Sequence, residues 1–190
     1  RSRLLRRTVR AIELSAAGCA EVVVSCSHDD REYFEAQTPV QRSLLVPNGI
    51  DVERFDASRS SRDTMRAALR VSDSDKLFLF TASKWGPNQE AFQYLMSFAK
   101  QYERRLVEHG IHILVVGSVA ETPVRLPALT ATGRVEAVEP YFAAADAAIN
   151  PIATGAGTNV KMGEFIAAGL PVLVSEFGAR GYRVENGRSG

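Results

Sequence analysis

No apolar run in this sequence approaches the roughly 20 residues needed to span a bilayer. The net charge is only +1 over 190 residues, so nothing marks the chain electrostatically for nucleic acid or a membrane surface. Cysteine is scarce: Cys19 and Cys26 stand alone, and neither belongs to a C-x-x-C or His-rich setting. They read as buried free thiols of a reducing compartment rather than as a disulfide, and the protein as cytoplasmic. The three histidines are scattered. His109 and His112 have H-x-x-H spacing, but Gly110 separates a helix end from the apolar run "IHILVVG", so the two cannot share a helical face. No metal is expected. The chain lacks a starting methionine and closes on the turn-like "ENGRSG", which reads as a piece of a longer protein.

What is present is ordinary globular material, 45% hydrophobic and 24% charged. Arg1, Arg3, Arg6, Arg7 and Arg10 accompany Leu4, Leu5, Val9 and Ile12 at helical spacing. An Arg-rich, acid-poor start suits a transit peptide, but without a methionine it reads better as a surface helix with a solvated basic face. "AEVVVSCS" predicts a buried strand, "HDDREYFEAQ" a short helix, and "RSLLVPNGID" a strand closed by the turn residues Pro47-Asn48-Gly49. Residues 51–61 are polar and read as an irregular connection between domains.

A second series follows. "DTMRAALRV" predicts a helix and "DKLFLFTAS" a buried strand. "PNQEAFQYLMSFAKQYERRL" predicts one long helix with Ala91, Leu95, Phe98, Tyr102 and Leu106 on one face. "IHILVVGS" and "RVEAV" predict strands, and "PYFAAADAAINPI" a helical turn and a strand. "GTNVKMGEFIAAG" predicts a helix ended by Gly169, before the strand "LPVLVSE". The alternation calls for an α/β fold, a Rossmann-like parallel sheet with flanking helices and right-handed crossovers.

In such sheets ligands bind beyond the carboxyl ends of the strands. The segment "NPIATGAGTN" runs from a strand straight into a helix, whose unpaired first-turn N–H groups attract anions. Gly155 and Gly157 allow a phosphate to approach the backbone, and Lys161 follows one turn later as a cation, so the site suits a diphosphate. A dinucleotide fingerprint fits less well. G-x-G-x-x-G needs glycine at 160, where this chain has Val160, and only Glu176 beside Ser175 offers the acidic ribose partner. A glycine-rich connection serving backbone geometry alone is the remaining alternative.

"GAGTNVKMGEFIAAGLPVLVSEFGARG" closely resembles the donor-binding segment of GT-B glycosyltransferases of family 4, retaining enzymes that use nucleotide sugars. "CAEVVVSCSHDDREYF", "VPNGIDVERF", "LFTASKWGPNQEA" and "YFAAADAAINPI" resemble other segments of that family in the same order, over residues 13 to 190. The resemblance implies two Rossmann-like domains facing a cleft. Residues 1–46 would be the tail of the N-terminal acceptor domain, and 47–190 a donor-binding domain incomplete at its C-terminus. It also implies roles. The second glutamate of the family's E-x(7)-E pair falls on Glu164, as ribose-binding carboxylate; the first falls on Ala156, which cannot contact the sugar as a glutamate does. The family's diphosphate-binding Arg and Lys fall on Ser83 and Asn88, both uncharged, with Lys84 and Lys161 as the cations that compensate. Gly117, Gly155, Ala156, Gly157, Thr158 and Asn159 complete the expected substrate site, with Lys161 and Lys84 as its catalytic cations. Trp85 either lines the cleft or packs.

The function so implied is transfer of a hexosyl or related sugar from a UDP- or GDP-linked donor to an unidentified hydroxyl acceptor in glycan biosynthesis, with no metal or other cofactor. No nucleic acid is involved, and any peripheral membrane contact falls to the missing N-terminal domain. Two alternatives are a noncatalytic nucleotide-sugar binding domain, suggested by Ala156 and the missing cations, and a same-fold sugar-nucleotide epimerase.

Overall fold

The computed structural model describes residues 2–155 and 159–182. The chain folds as two units, Arg1–Gly49 and Ile50–Gly190. In the first, α1 (Ser2–Cys19) and α2 (His28–Gln37) accompany a parallel pair, β1 (Val23–Ser25) and β2 (Ser43–Leu45). Ser27 caps α2 by accepting from the Asp30 N–H at 3.1 Å, and Asp29 and Asp30 complement the helix dipole. The expected solvated basic face of α1 is present, with Arg3, Arg6, Arg7 and Arg10 all exposed. Leu4, Leu5 and Ile12 are also exposed, while Arg10 turns onto α2, donating to Gln37 Oε1 at 2.6 Å and lying over the Tyr33 ring. The thiols differ from expectation in burial: neither is in a disulfide, but Cys19 is exposed and Cys26 half-buried. No described helix is long and apolar enough to cross a membrane.

The second unit is built on one sheet. Its strands are β3 (Lys76–Thr81), β4 (Ile111–Val116), β5 (Val124–Leu126), β6 (Leu129–Ala131), β7 (Ala147–Asn150) and β8 (Val172–Val174), in spatial order β5-β6-β4-β3-β7-β8. All pairs are parallel except β5–β6. Without the antiparallel β5, chain order outward from β3 reverses between β3 and β7, the switch point where α/β sheets open a ligand crevice. The alternating side chains of β3 and β4 feed two cores, because neighbours on a strand point to opposite faces. Phe80, Ile113 and Val115 pack under α5 (Gly86–Gln101) and α6 (Glu103–Glu108). Leu77, Leu79, Leu114 and Val116 pack under α4 (Arg62–Leu69), α7 (Glu139–Ala144) and α8 (Val160–Ala167).

Three expected elements differ. Residues 53–58 form a helix, α3 (Glu53–Ser58), continued by a 3-10 turn at Arg59–Ser61. The polar composition hides Phe55, which is buried against Phe142 with ring centroids 4.9 Å apart and ties the segment to the core. "RVEAV" is a loop; the strand is Leu129–Ala131, whose residues are all buried. The long helix breaks at Tyr102, so that Leu106 reaches the core from α6 while Tyr102 stays at the surface on the Phe98 ring. Its buried face runs through Asn88, Ala91, Phe92, Leu95 and Ala99.

One polar knot fastens this arrangement. Arg66 is 1% exposed, and its guanidinium donates to the carbonyls of Ala144, Ser72 and Asp75 and to Asp146. Arg62 donates to the carbonyls of Ala143, Ala144 and Ala145 and to Asp146. Asp146 also accepts from the Leu77 N–H at 2.8 Å. Burial opposes ionisation of Asp146, but the Leu77 N–H and the two guanidiniums outweigh it and lower its pKa. A lowered acid pKa contributes stability above the ordinary aspartate range and loses it as pH falls through the folded value. Asp146→Ala is therefore expected to destabilise the chain by about 3–5 kcal/mol at pH 7, since it leaves the buried Arg66 only the solvent-exposed Asp73, 3.7 Å away, as counter-charge. Urea unfolding should show the gap to wild type shrinking at acid pH; a gap independent of pH would mean the carboxylate's charge is immaterial.

Candidate functional site

The carboxyl ends of β3 and β4 are held close by glycine. Gly117 has φ +120°, and a Cβ there would sit 2.4 Å from the Ala82 carbonyl oxygen, so no other residue fits without moving the strand. Its N–H donates to Gly133 O at 3.1 Å, drawing in the loop after β6. Between these ends, the 134–138 loop and the start of α8 lies a cleft of about 420 Å³.

The floor is organised around Asn88. Pro87 opens α5 within its first turn and sets Asn88, which is 5% exposed, facing inward. Its Nδ2 donates to the Ser83 carbonyl at 2.9 Å, which leaves Oδ1 to accept from Lys161 Nζ at 3.0 Å. The Lys161 ammonium also lies 4.4 Å from the centroid of the buried Phe80 ring. Burial lowers the Lys161 pKa to about 8, against a partial restoring effect of Glu164. Glu164 lies one turn along α8 from Val160, and both border the cleft. Burial raises its pKa; Arg54 and Lys161 oppose that rise, and Glu139 reinforces it. Arg54 is itself ion-paired with Glu139.

The stem of the glycine loop is pinned on both sides. Asn150 Nδ2 and Asn159 Nδ2 each donate to Gly178 O at 3.2 Å, and Thr154 Oγ1 donates to Glu90 Oε2 at 2.9 Å. Because the Asn159 side chain is used in this way, it does not cap α8, and the first-turn N–H groups have no side-chain cap. Gly155, at φ +140°, packs against the Trp85 ring; a Cβ there would lie 2.9 Å from Cη2. Ala156, Gly157 and Thr158 lie outside the described residues.

Of the residues singled out from sequence, Ser83, Asn88, Gly117, Lys161 and Glu164 border one cleft. Lys84 does not border it: this exposed lysine is paired with Glu121. Arg134 was not foreseen. It borders the cleft opposite α8, is exposed, and makes no ion pair among the described residues. Reading "RVEAV" as a strand concealed it, although Gly133 with φ +73° marks the turn that presents it. No group of three or more His, Cys, Asp or Glu side chains able to hold a metal occurs among the described residues.

Residues 75–190 match the model of the family described as Glycosyl transferases group 1. Among curated proteins none matches the chain in sequence. Of solved structures, HepE of Anabaena in complex with UDP-glucose is similar at TM-score 0.65 and 16% identity, covering 94% of this chain and 54% of that one. A UDP-forming alpha,alpha-trehalose-phosphate synthase from Burkholderia xenovorans is similar at TM-score 0.58 and 14% identity, covering 88% and 49%. The N-terminal domain of Candida albicans trehalose-6-phosphate phosphatase is similar at TM-score 0.58 and 17% identity, covering 84% and 45%. The chain thus spans about half the length of these structures and shares the Rossmann-like fold of GT-B glycosyltransferases.

The buried ammonium has a thermodynamic signature. Between pH 8 and 10.5 the unfolded chain holds a proton on Lys161 that the folded chain sheds, so stability rises with pH across that window. The full rise is about 3 kcal/mol. Lys161→Met should abolish this rise and leave the chain at least as stable as wild type at pH 7. Denaturant unfolding at pH 7, 8.5 and 10 measures the difference, and parallel pH slopes in the two proteins would contradict it.

Proposed function

Because this chain belongs to the group 1 glycosyl transferases, we propose that it forms the donor-binding side of a retaining glycosyltransferase that moves a hexosyl or related sugar from a nucleoside-diphosphate carrier to a hydroxyl acceptor. In this reading residues 47–190 hold the donor and residues 1–46 end the acceptor-side domain. The reading rests above all on the bond between Lys161 Nζ and Asn88 Oδ1. Asn88 stands where the family resemblance assigns a diphosphate-binding lysine, and the ammonium absent from that position is delivered from α8.

The proposed chemistry follows from the charges. As the bond between the sugar's anomeric carbon and the diphosphate breaks, the electron pair leaves with the diphosphate. Its growing charge is met by Lys161, by the uncapped first turn of α8 and by Arg134 at the rim, without a metal. The acceptor oxygen bonds to the anomeric carbon on the face the diphosphate leaves, and its proton passes to the departing oxygen. Glu164 accepts hydrogen bonds from the ribose hydroxyls, a task for a carboxylate with no proton of its own. Similarity to HepE, whose structure contains UDP-glucose, makes UDP the first nucleotide to test. A second reading, a noncatalytic nucleotide-sugar binding domain, draws on Ala156 at the sugar-contacting position and on the engagement of Lys84 with Glu121.

Calorimetry of the chain with UDP, GDP and ADP tests the donor reading, and absence of binding by all three overturns it. Glu164→Gln should weaken nucleotide binding by about 1–3 kcal/mol. Because the Glu164 pKa is raised, wild-type affinity should fall with acidification sooner than an ordinary glutamate allows, a dependence that Glu164→Gln lacks. In the complete enzyme Lys161→Met should reduce turnover more than affinity, since the charge it faces grows in the transition state. Wild-type nucleotide binding without any donor hydrolysis or transfer by the complete enzyme would favour the noncatalytic reading.

A further inference from the structure

The chain contains four lysines, and their surroundings differ sharply. Lys76 and Lys100 are exposed, and Lys84 is exposed and paired with Glu121. Lys161 alone borders the cleft, held by a neutral amide and an aromatic ring and without a carboxylate in ion-pair contact among the described residues. An amine so placed loses its proton more readily than a solvated one, and only the neutral amine attacks carbonyl carbon. Bordering the same cleft are groups suited to a phosphoryl anion, the start of α8, which Asn159 does not cap, and Arg134, which makes no ion pair among the described residues.

From this geometry we infer that Lys161 is a covalent modification site for acyl phosphates, which enter the cleft by their phosphoryl end and transfer their acyl group to Nζ. The inference rests on the reading that the cleft receives a phosphoryl group. In the transfer the Nζ lone pair bonds to the acyl carbon, and the bond from that carbon to the phosphate oxygen breaks. The proton shed by nitrogen goes to the released phosphate, so amine and acyl phosphate become amide and hydrogen phosphate without oxidant or reductant. The product has no positive charge and is bulkier, so acylation removes the cation that the donor diphosphate would meet. Acyl phosphate supply would thereby restrain sugar transfer at the donor site itself.

The pH dependence is set by Lys161 at about 8, with Glu164 on its own helix the main charge acting on it, Arg134 across the cleft, and the Arg54–Glu139 pair beside Glu164. At pH 7.5 a far larger share of such an amine is neutral than of an ordinary lysine near 10.4; its weaker intrinsic nucleophilicity removes part of that advantage, leaving about tenfold in rate.

The test is acetylation of the 190-residue chain with acetyl phosphate, read by peptide mass spectrometry, beside a parallel reaction with acetic anhydride, which has no phosphoryl group. With acetyl phosphate Lys161 should be acetylated well over tenfold faster than Lys76 or Lys100, because phosphoryl binding adds to the roughly tenfold that ionisation alone supplies, with a rate that levels off above pH 8. Its advantage should shrink with acetic anhydride, and UDP should slow its reaction with acetyl phosphate while leaving Lys76 and Lys100 unaffected. Acetylation of Lys161 no faster than of Lys100, or the same preference with both reagents, overturns the inference. If UDP binds by calorimetry and Lys161 does not react, the inference fails and the donor reading stands. If Lys161 reacts selectively while UDP, GDP and ADP neither bind nor protect, the donor reading fails and the modification site stands.

Discussion

The second unit depends on one carboxylate. Asp146 stands just before β7 and joins the Leu77 N–H of β3 to two guanidiniums from α4. It therefore fixes where β7 begins beside β3, at the point where the sheet changes its direction of growth. That register determines how the ends of the two strands face each other, and hence whether α8, which follows β7, can bring Lys161 onto Asn88, which follows β3. The knot lies at the amino ends of the strands and the cleft at the carboxyl ends, so scaffold and site meet different demands on one sheet. Around Asp146 every charge is answered; the Arg66 Nε, without a hydrogen bond among the described residues, still lies 3.7 Å from the Asp73 carboxylate.

At the other end charge is left unanswered. Lys161 and Glu164 occupy one helix three residues apart, and burial pushes each towards its neutral form. Their mutual attraction restores part of what each loses. A polyanion entering the cleft would reverse the balance for the lysine, since a nearby negative charge favours the ammonium. Binding and proton uptake are then coupled, and part of the intrinsic affinity is used to recharge the site. This is a form of preorganisation: the groups are fixed in place by Asn88, Phe80 and the wall of α8, but their charge is completed by the ligand.

Much of the scaffold was legible because buried strands are written as continuous β-branched and aromatic runs. "KLFLFT" and "IHILVV" could serve no other purpose in a chain this polar, and Gly169 ended α8 as a left-handed glycine should. Local composition misled where one apolar residue decides the outcome. Phe55 among arginines and serines was enough to fold α3 onto the core. The Gly133-Arg134 turn was misread because Val135 and Val138 resemble a strand pattern, whereas the preceding "LTA" supplies the strand. The site was legible in its polar residues, since Asn88, Lys161 and Glu164 sit on predicted helices. What the sequence could not show was the pairing of Lys84 with Glu121 or the reach of Lys161 across 73 positions of chain to Asn88. Both are tertiary contacts between elements whose relative placement only the sheet order defines.

Trp85 is the only tryptophan of the chain, and its ring lies against Gly155 at the entrance to the glycine loop, half exposed to solvent. Indole emission depends on the polarity of its surroundings, so this single ring gives the protein one optical signal originating beside the loop. A change in backbone position at Gly155 alters how much of the ring water can reach, and with it the colour and intensity of the light. The molecule thus carries a native fluorophore at the segment joining β7 to α8, with no competing tryptophan elsewhere to dilute it.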